Sequence, residues 1–97
     1  EYCLSISATT RTPREGEVDG QHYFFLDKSV FEQRIQEDRF LEYACYVGNY
    51  YGTPKVYVQQ QLDLGKNVIL EIEIQGALKI KEKSLTLLFL KILLIVS

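Results

Sequence analysis

The chain has 97 residues, of which 25% are charged and 46% hydrophobic, and its net charge at pH 7 is −2. That length makes one small domain or a piece of a larger one, with the charge content of an ordinary water-soluble fold. The slightly acidic balance does not suggest the broadly basic face of a nucleic-acid binder, and a single histidine, His22, gives little support to a His-based metal site or a Ser-His-Asp triad.

In chain order, residues 2–7 (Y-C-L-S-I-S) are short, apolar and rich in strand formers, and read as a buried core strand whose end delivers Ser7. No basic n-region precedes them, so no signal peptide is expected. Residues 8–21 are polar, contain Pro13, Gly16 and Gly20, and read as loop and turn. Asp19-Gly20 is a hairpin signal that should bring Tyr23, on a strand over residues 21–26, back toward this loop. A helix follows over 27–37, with Ser29 and Glu32 spaced as a capping box and Phe31 with Ile35 as an apolar i,i+4 pair.

Residues 40–47 alternate as a strand, with Phe40, Glu42, Ala44 and Tyr46 on one face. Glu42 then shares a face with apolar groups, an expensive place for a carboxylate without hydrogen-bond partners. Residues 48–52 (G-N-Y-Y-G) read as a turn carrying two aromatics. Thr53-Pro54 reads as the N-cap and first position of a second helix, with Val58 and Leu62 on its stripe and Gly65 at its end. Residues 67–74 alternate again, placing Glu71 and Glu73 on one face with Cα atoms about 6.6 Å apart. Residues 76–83 form a third short helix and 85–96 a last apolar strand, too short to span a bilayer, which takes about 20 apolar residues. Cys3 and Cys45 read as reduced core thiols of a cytosolic protein. The chain opens inside an apolar alternation and stops without a cap, so both ends are expected to be cut points.

The chemistry gathers around Arg11 and Arg14. Pro13 fixes its own φ and biases Thr12 toward extended backbone, so both arginines ride on a stiffened loop. Guanidinium forks fit phosphate or carboxylate oxygens two at a time. With Tyr23 folded toward them they make an oxyanion site of unspecified ligand; as isolated loop residues they would be no more than surface cations.

Four stretches in order, S-A-T-T-R-T-P-R-E-G-E-V-D-G-Q-H-Y-F-F, F-L-E-Y-A, G-N-Y-Y-G-T-P-K and L-E-I-E-I-Q-G-A, resemble the guanylate kinases. The resemblance implies an α/β fold: a partial P-loop kinase core of parallel strands and helices with an inserted α+β GMP-binding subdomain. Core strand is expected at 1–7, the GMP-binding subdomain at 8–65, and core strand-helix-strand at 66–97. It also implies transfer of the γ-phosphoryl of ATP to GMP with Mg²⁺ in the full-length enzyme, in the cytoplasm, with no nucleic-acid or membrane partner. By position in the motifs, Arg11, Arg14, Tyr23 and Tyr51 match ligands of the GMP phosphate. Glu42, Ser7, Thr53 and Glu73 match residues around guanine, and Glu71 matches an acid near metal and phosphates. Glu73 stands where the family commonly has aspartate.

The G-x-x-x-x-G-K-[ST] loop that cradles ATP phosphates is not in these 97 residues. The resemblance therefore assigns the acceptor side only: no catalytic residue, no direct metal ligand and no bound cofactor in this stretch, which is expected to be inactive alone. After Lys83 the family pattern is lost in an apolar tail, which suggests a truncated or frame-shifted reading. The alternative is a non-catalytic guanylate-kinase-like module that binds phosphorylated peptide; it would need the arginines and tyrosine but not Glu42, Ser7 and Thr53 together.

Overall fold

Apolar runs near the two ends of the chain become parallel strands, and the polar stretch between them builds a sheet and helix of its own. The computed structural model describes residues 2–72 and 92–96. In chain order the elements are β1 (Tyr2–Leu4), β2 (Ala8–Thr9), β3 (Phe24–Phe25), α1 (Lys28–Gln36), β4 (Phe40–Tyr46), β5 (Asn49–Pro54), α2 (Lys55–Asp63), β6 (Asn67–Ile72) and β7 (Ile92–Val96). They form two compact units, one from the described parts of Glu1–Ser5 and Val56–Ser97, the other from Ile6–Lys55. No helix among the described residues is long and apolar enough to cross a membrane.

The first unit holds the parallel sheet β1-β6-β7. Val68 and Leu70 are buried on one face of β6 while Glu71 is exposed on the other, the alternation read from the sequence. All of α2 after Lys55 belongs to this unit: Val58 is buried and the Cys3 thiol donates to Gln61 Oε1 at 3.8 Å. The two units divide at 5/6 and 55/56, and the sequence pattern draws its limits at 7/8 and 65/66. Gly65 ends the helix as read, at φ +82, with Gly65 N–H donating to Leu62 O and Lys66 N–H to Gln61 O. Residues 73–91, including Glu73 and the third helix, lie outside the described residues.

The second unit is the four-stranded sheet β3-β2-β5-β4 with α1 on one face. Its packing centre is Ala8, Phe31 and Phe40, flanked by Phe24, Leu26, Ile35 and Tyr50. Phe31 stacks on Phe40 at 4.4 Å and on Tyr50 at 4.9 Å, with Ile35 one turn on, so the predicted i,i+4 pair is the helix's buried stripe. Gly52 lies under this stack. A Cβ there would sit 2.9 Å from Phe40 Cδ1 and 3.0 Å from Phe31 Cζ, so the close approach needs glycine.

Several expectations change here. Ala8–Thr9 is a strand, not loop: it pairs antiparallel with β5 and parallel with β3, so the Asp19-Gly20 turn does not close a hairpin. The turn is local, with Gly20 at φ +83 donating to Tyr23 O, and β3 is confined to Phe24–Phe25. The N-cap of α1 is Asp27, two residues ahead of the expected box, because Leu26 N–H is fixed to Thr9 O and leaves Asp27 extended. The helix closes on Asp38 at φ +56, with Asp38 N–H on Ile35 O and Arg39 N–H on Arg34 O.

The hairpin turn is Val47-Gly48, both at positive φ, and Asn49 to Pro54 is strand throughout. Thr53 and Pro54 pair with Glu42 and Phe40 instead of opening α2. Both cysteines are free, but Cys3 is half-buried and Cys45 exposed, because β4 loses its cover beyond Glu42.

The largest correction concerns β4. Phe40 pairs with Pro54 and Glu42 with Thr53, so Leu41 is an extra residue in a β-bulge. Pro54 and Thr53 are successive and point to opposite faces; Phe40 and Glu42 therefore do too. Phe40 enters the core, and Glu42 leaves it.

Candidate functional site

The pairing registers bring Glu42, Tyr51 and Thr53 to the sheet face opposite α1. Thr53 sits opposite Glu42, and Tyr51 opposite both Thr9 and Ala44. Continuing the antiparallel register one step past the Ala8–Gly52 pair carries Ser7, just ahead of β2, toward Thr53, the partner of Glu42. Tyr23 precedes Phe24, the partner of Ala8, and lies on the same face, packed edge-on to Tyr51 at 6.2 Å and tilted against Phe25 at 5.8 Å.

Glu42 is 8% exposed and Thr53 is 1% exposed. The Thr53 hydroxyl donates to Glu42 Oε2 at 3.2 Å, one of the hydrogen bonds a buried carboxylate requires. The bulge supplies the position and the pairing across strands supplies the partner.

Arg11 lies over the Tyr23 ring at 5.3 Å, within cation–π range. Its Nη1 and Nη2 donate to Glu17 Oε1 and Oε2 at 2.9 and 3.1 Å, and Nη1 donates also to Thr12 O. The pair is mostly covered, with side-chain exposures of 14% and 19%. Glu17, with help from the Tyr51 and Tyr23 hydroxyls and against the cost of burial, raises the Arg11 pKa further, so the cation is permanent. In turn the Arg11 hydrogen bonds and then the Arg14 N–H, which donates to Oε1 at 2.7 Å, hold the Glu17 carboxyl down at about 2. Glu17 takes the end of the guanidinium, and the Tyr51 and Tyr23 hydroxyls bear on the same cation. Arg14 is exposed, and its guanidinium has no hydrogen-bond partner among the described residues.

Glu71 is exposed on β6, in the other unit, and Glu73 is outside the described residues. Residues without an assigned role in the sequence reading also matter. Thr9, fully buried, donates to Tyr50 O at 2.8 Å and accepts Arg11 N–H at 3.2 Å, which fixes the start of the arginine loop on the sheet. Glu17 is visible in sequence only as the acid three places after Arg14, a spacing meaningful once the loop is known to curl. Tyr50 packs on Phe31 and also donates to Glu32 Oε2 at 3.0 Å. His22 accepts Val18 N–H on Nδ1. Lys55, given no role, makes an exposed ion pair with Asp38, a kind worth little.

Comparison with known proteins identifies the family. A sequence model of the guanylate kinase family matches residues 1–94. A guanylate kinase of Clostridium perfringens (strain 13 / Type A) is 66% identical over 90 residues, covering 93% of this chain and 42% of the relative. One from Halalkalibacterium halodurans is 60% identical over 79 residues, covering 81% and 39%. The crystal structure of guanylate kinase from Anaplasma phagocytophilum superposes with a TM-score of 0.74 at 35% identity, over 86% of this chain and 44% of that one. The chain thus spans less than half the length of these relatives. Its mixed α/β architecture is that of their P-loop kinase fold, and by sequence and structure it belongs to the guanylate kinase family.

Proposed function

We propose that this chain carries the phosphoryl-acceptor side of a guanylate kinase, binding GMP on the face of the four-stranded sheet opposite α1. One observation carries the reading: a buried carboxylate, Glu42, shares that face with the Arg11–Tyr23–Tyr51 cluster. An ionised carboxylate only accepts, and its two oxygens suit the N1–H and 2-amino hydrogens of guanine as a parallel pair. Adenine has neither and would leave Glu42 buried and unmatched, which a polar site rejects far more strongly than a missing methyl. Ser7 and Thr53 stand beside the position of O6. Arg11, Arg14 by its exposed fork, and the Tyr23 and Tyr51 phenols hold the phosphate. Glu73 joins the base and Glu71 the phosphates by their place in the motif.

In the whole protein this acceptor receives the γ-phosphoryl of ATP in the cytoplasm; these residues alone are inactive. Bound Mg²⁺ would neutralise charge on the transferring group. Among the described residues no three His, Cys, Asp or Glu side chains come together as a metal site. The phosphopeptide alternative has no use for a buried Glu42–Thr53 pair.

Calorimetric titration of the intact protein tests the reading. GMP should bind well above AMP, and Glu42→Gln should abolish that preference. Arg14→Ala should weaken GMP more than guanosine, by about 1.5–3 kcal/mol for charge-assisted bonds. Equal weak binding of GMP and AMP by the unmodified protein would sink the proposal.

A further inference from the structure

We propose that His22 is a positioning residue of the phosphate site, closing the turn that sets Glu17 and Tyr23 around Arg11, and that it does so only as the neutral imidazole; the role rests on the GMP reading above. Arg11 is held on two sides, by the Glu17 carboxylate at 2.9 and 3.1 Å and by the Tyr23 ring at 5.3 Å. Those two groups stand at the two ends of one turn. Inside it, Val18 O accepts the N–H groups of Gln21 and His22, each at 3.1 Å, and Gly20 N–H reaches Tyr23 O at 2.8 Å. The N–H of Val18 itself goes to His22 Nδ1 at 2.9 Å. The imidazole therefore ties the residue after Glu17 to the residue before Tyr23, and the placing of both groups about the guanidinium follows from that tie.

An Nδ1 that accepts an N–H carries no proton, so the ring is neutral with its hydrogen on Nε2. A second proton turns Nδ1 into a donor, and two donors then face each other. Both His22 and Val18 are exposed, and neither belongs to the packing centre of the unit. Water can take over the Val18 N–H when the tie breaks, so the fold survives and the geometry around Arg11 is what changes. The other charged groups on the turn and on the loop it braces are Asp19, whose Oδ1 accepts Phe25 N–H, with Arg11, Arg14, Glu15 and Glu17. Among these residue types only histidine ordinarily changes charge between pH 5 and 8.

Asparagine offers a neutral acceptor, Oδ1, at the same place along the side chain as Nδ1, and it does not titrate. Calorimetric titration of the intact protein with GMP and with guanosine, at pH 8 and at pH 5.5, therefore compares the unmodified protein with His22→Asn and His22→Leu. At pH 8 the unmodified protein and His22→Asn should bind GMP within about twofold of each other, and His22→Leu about fivefold more weakly, the worth of a neutral hydrogen bond. At pH 5.5 the unmodified protein should fall to the level of His22→Leu, while the ionisation of the phosphate itself moves all three alike. Guanosine should bind the three proteins equally at both pH values. The inference is overturned if the unmodified protein and His22→Asn keep step between the two pH values, if His22→Leu matches His22→Asn, or if guanosine falls with GMP.

NMR reads the contact without ligand. The Val18 amide ¹H resonance should shift between pH 8 and pH 5.5 in the unmodified protein and hold still in His22→Asn; an unmoved Val18 amide in the unmodified protein overturns the inference directly. If Val18 responds as expected while the unmodified protein binds GMP and AMP with equal weakness, the nucleotide reading falls and takes the role of His22 with it, and the turn contact stands.

Discussion

Gly52→Ala adds one methyl group under the aromatic stack. The new carbon would lie 2.9 Å from Phe40 Cδ1, 3.0 Å from Phe31 Cζ and 3.2 Å from the Glu42 carbonyl oxygen, against an optimum of about 3.5–4.0 Å between carbons. None of the three can retreat cheaply. Phe40 is stacked on Phe31, Phe31 on Tyr50, and the carbonyl belongs to the paired strand β4. Overpacking of this kind costs about 1–3 kcal/mol. Alanine recovers about 0.4–1 kcal/mol by restricting the unfolded chain. The net expectation is a loss of about 1–2 kcal/mol, read from urea unfolding of the intact protein as a lower midpoint at unchanged slope. Phe40→Leu in the same background should remove most of the penalty that Gly52→Ala adds. If Gly52→Ala stabilises the protein, or costs the same with Phe40 replaced, the packing argument is wrong.

Other outcomes follow from separate features. Val47 is a β-branched residue at φ +49, and it is 80% exposed, so Val47→Asn loses little packing and should raise the urea midpoint by about 1 kcal/mol of stability. Glu17 has its folded carboxyl lowered from 4.5 to about 2, chiefly by Arg11. A depressed folded value means its contribution to stability is complete above about pH 4.5 and lost as the pH falls through 2. The stability difference between the unmodified protein and Glu17→Gln should shrink over that window, and a pH-independent difference contradicts the pair. The Tyr50 phenol is pushed above its ordinary value of 10, chiefly by its hydrogen bond to Glu32. In Glu32→Gln, an ultraviolet absorbance titration should show it returning toward 10; an unmoved curve would assign the shift to burial.

Local chemistry was legible where it was also globally consistent. The alternation of Val68 and Leu70, the Phe31–Ile35 stripe and Gly65 at the helix end are each fixed by neighbours in sequence, and the structure keeps them. Glu42 announced itself as a carboxylate in an apolar pattern. What the pattern could not supply was the bulge at Leu41: no glycine or proline marks it, and strict alternation puts Glu42 in the core with Phe40. Ala8–Thr9 was hidden for a similar reason, since a strand of two residues owes its existence to partners on both sides. Val47 in a left-handed turn runs against its own propensity, and tertiary pairing of β4 with β5 decides it. Of the site residues, Arg11, Tyr23, Glu42, Tyr51 and Thr53 fall on or over one sheet face, with Ser7 just ahead of β2; Arg14 stays exposed, Glu71 lies in the other unit, and Glu73 is not described.

The bulge also works as an error check during folding. A hairpin closed one residue out of step exchanges the faces of its strands. For β4 that mistake would drive the Glu42 charge under α1 and bring Phe40 out to solvent, a penalty in both desolvation and lost burial. Glu42 is thus also the residue that makes a misregistered β4–β5 pair costly, so a chain that closes this hairpin correctly has already placed its carboxylate.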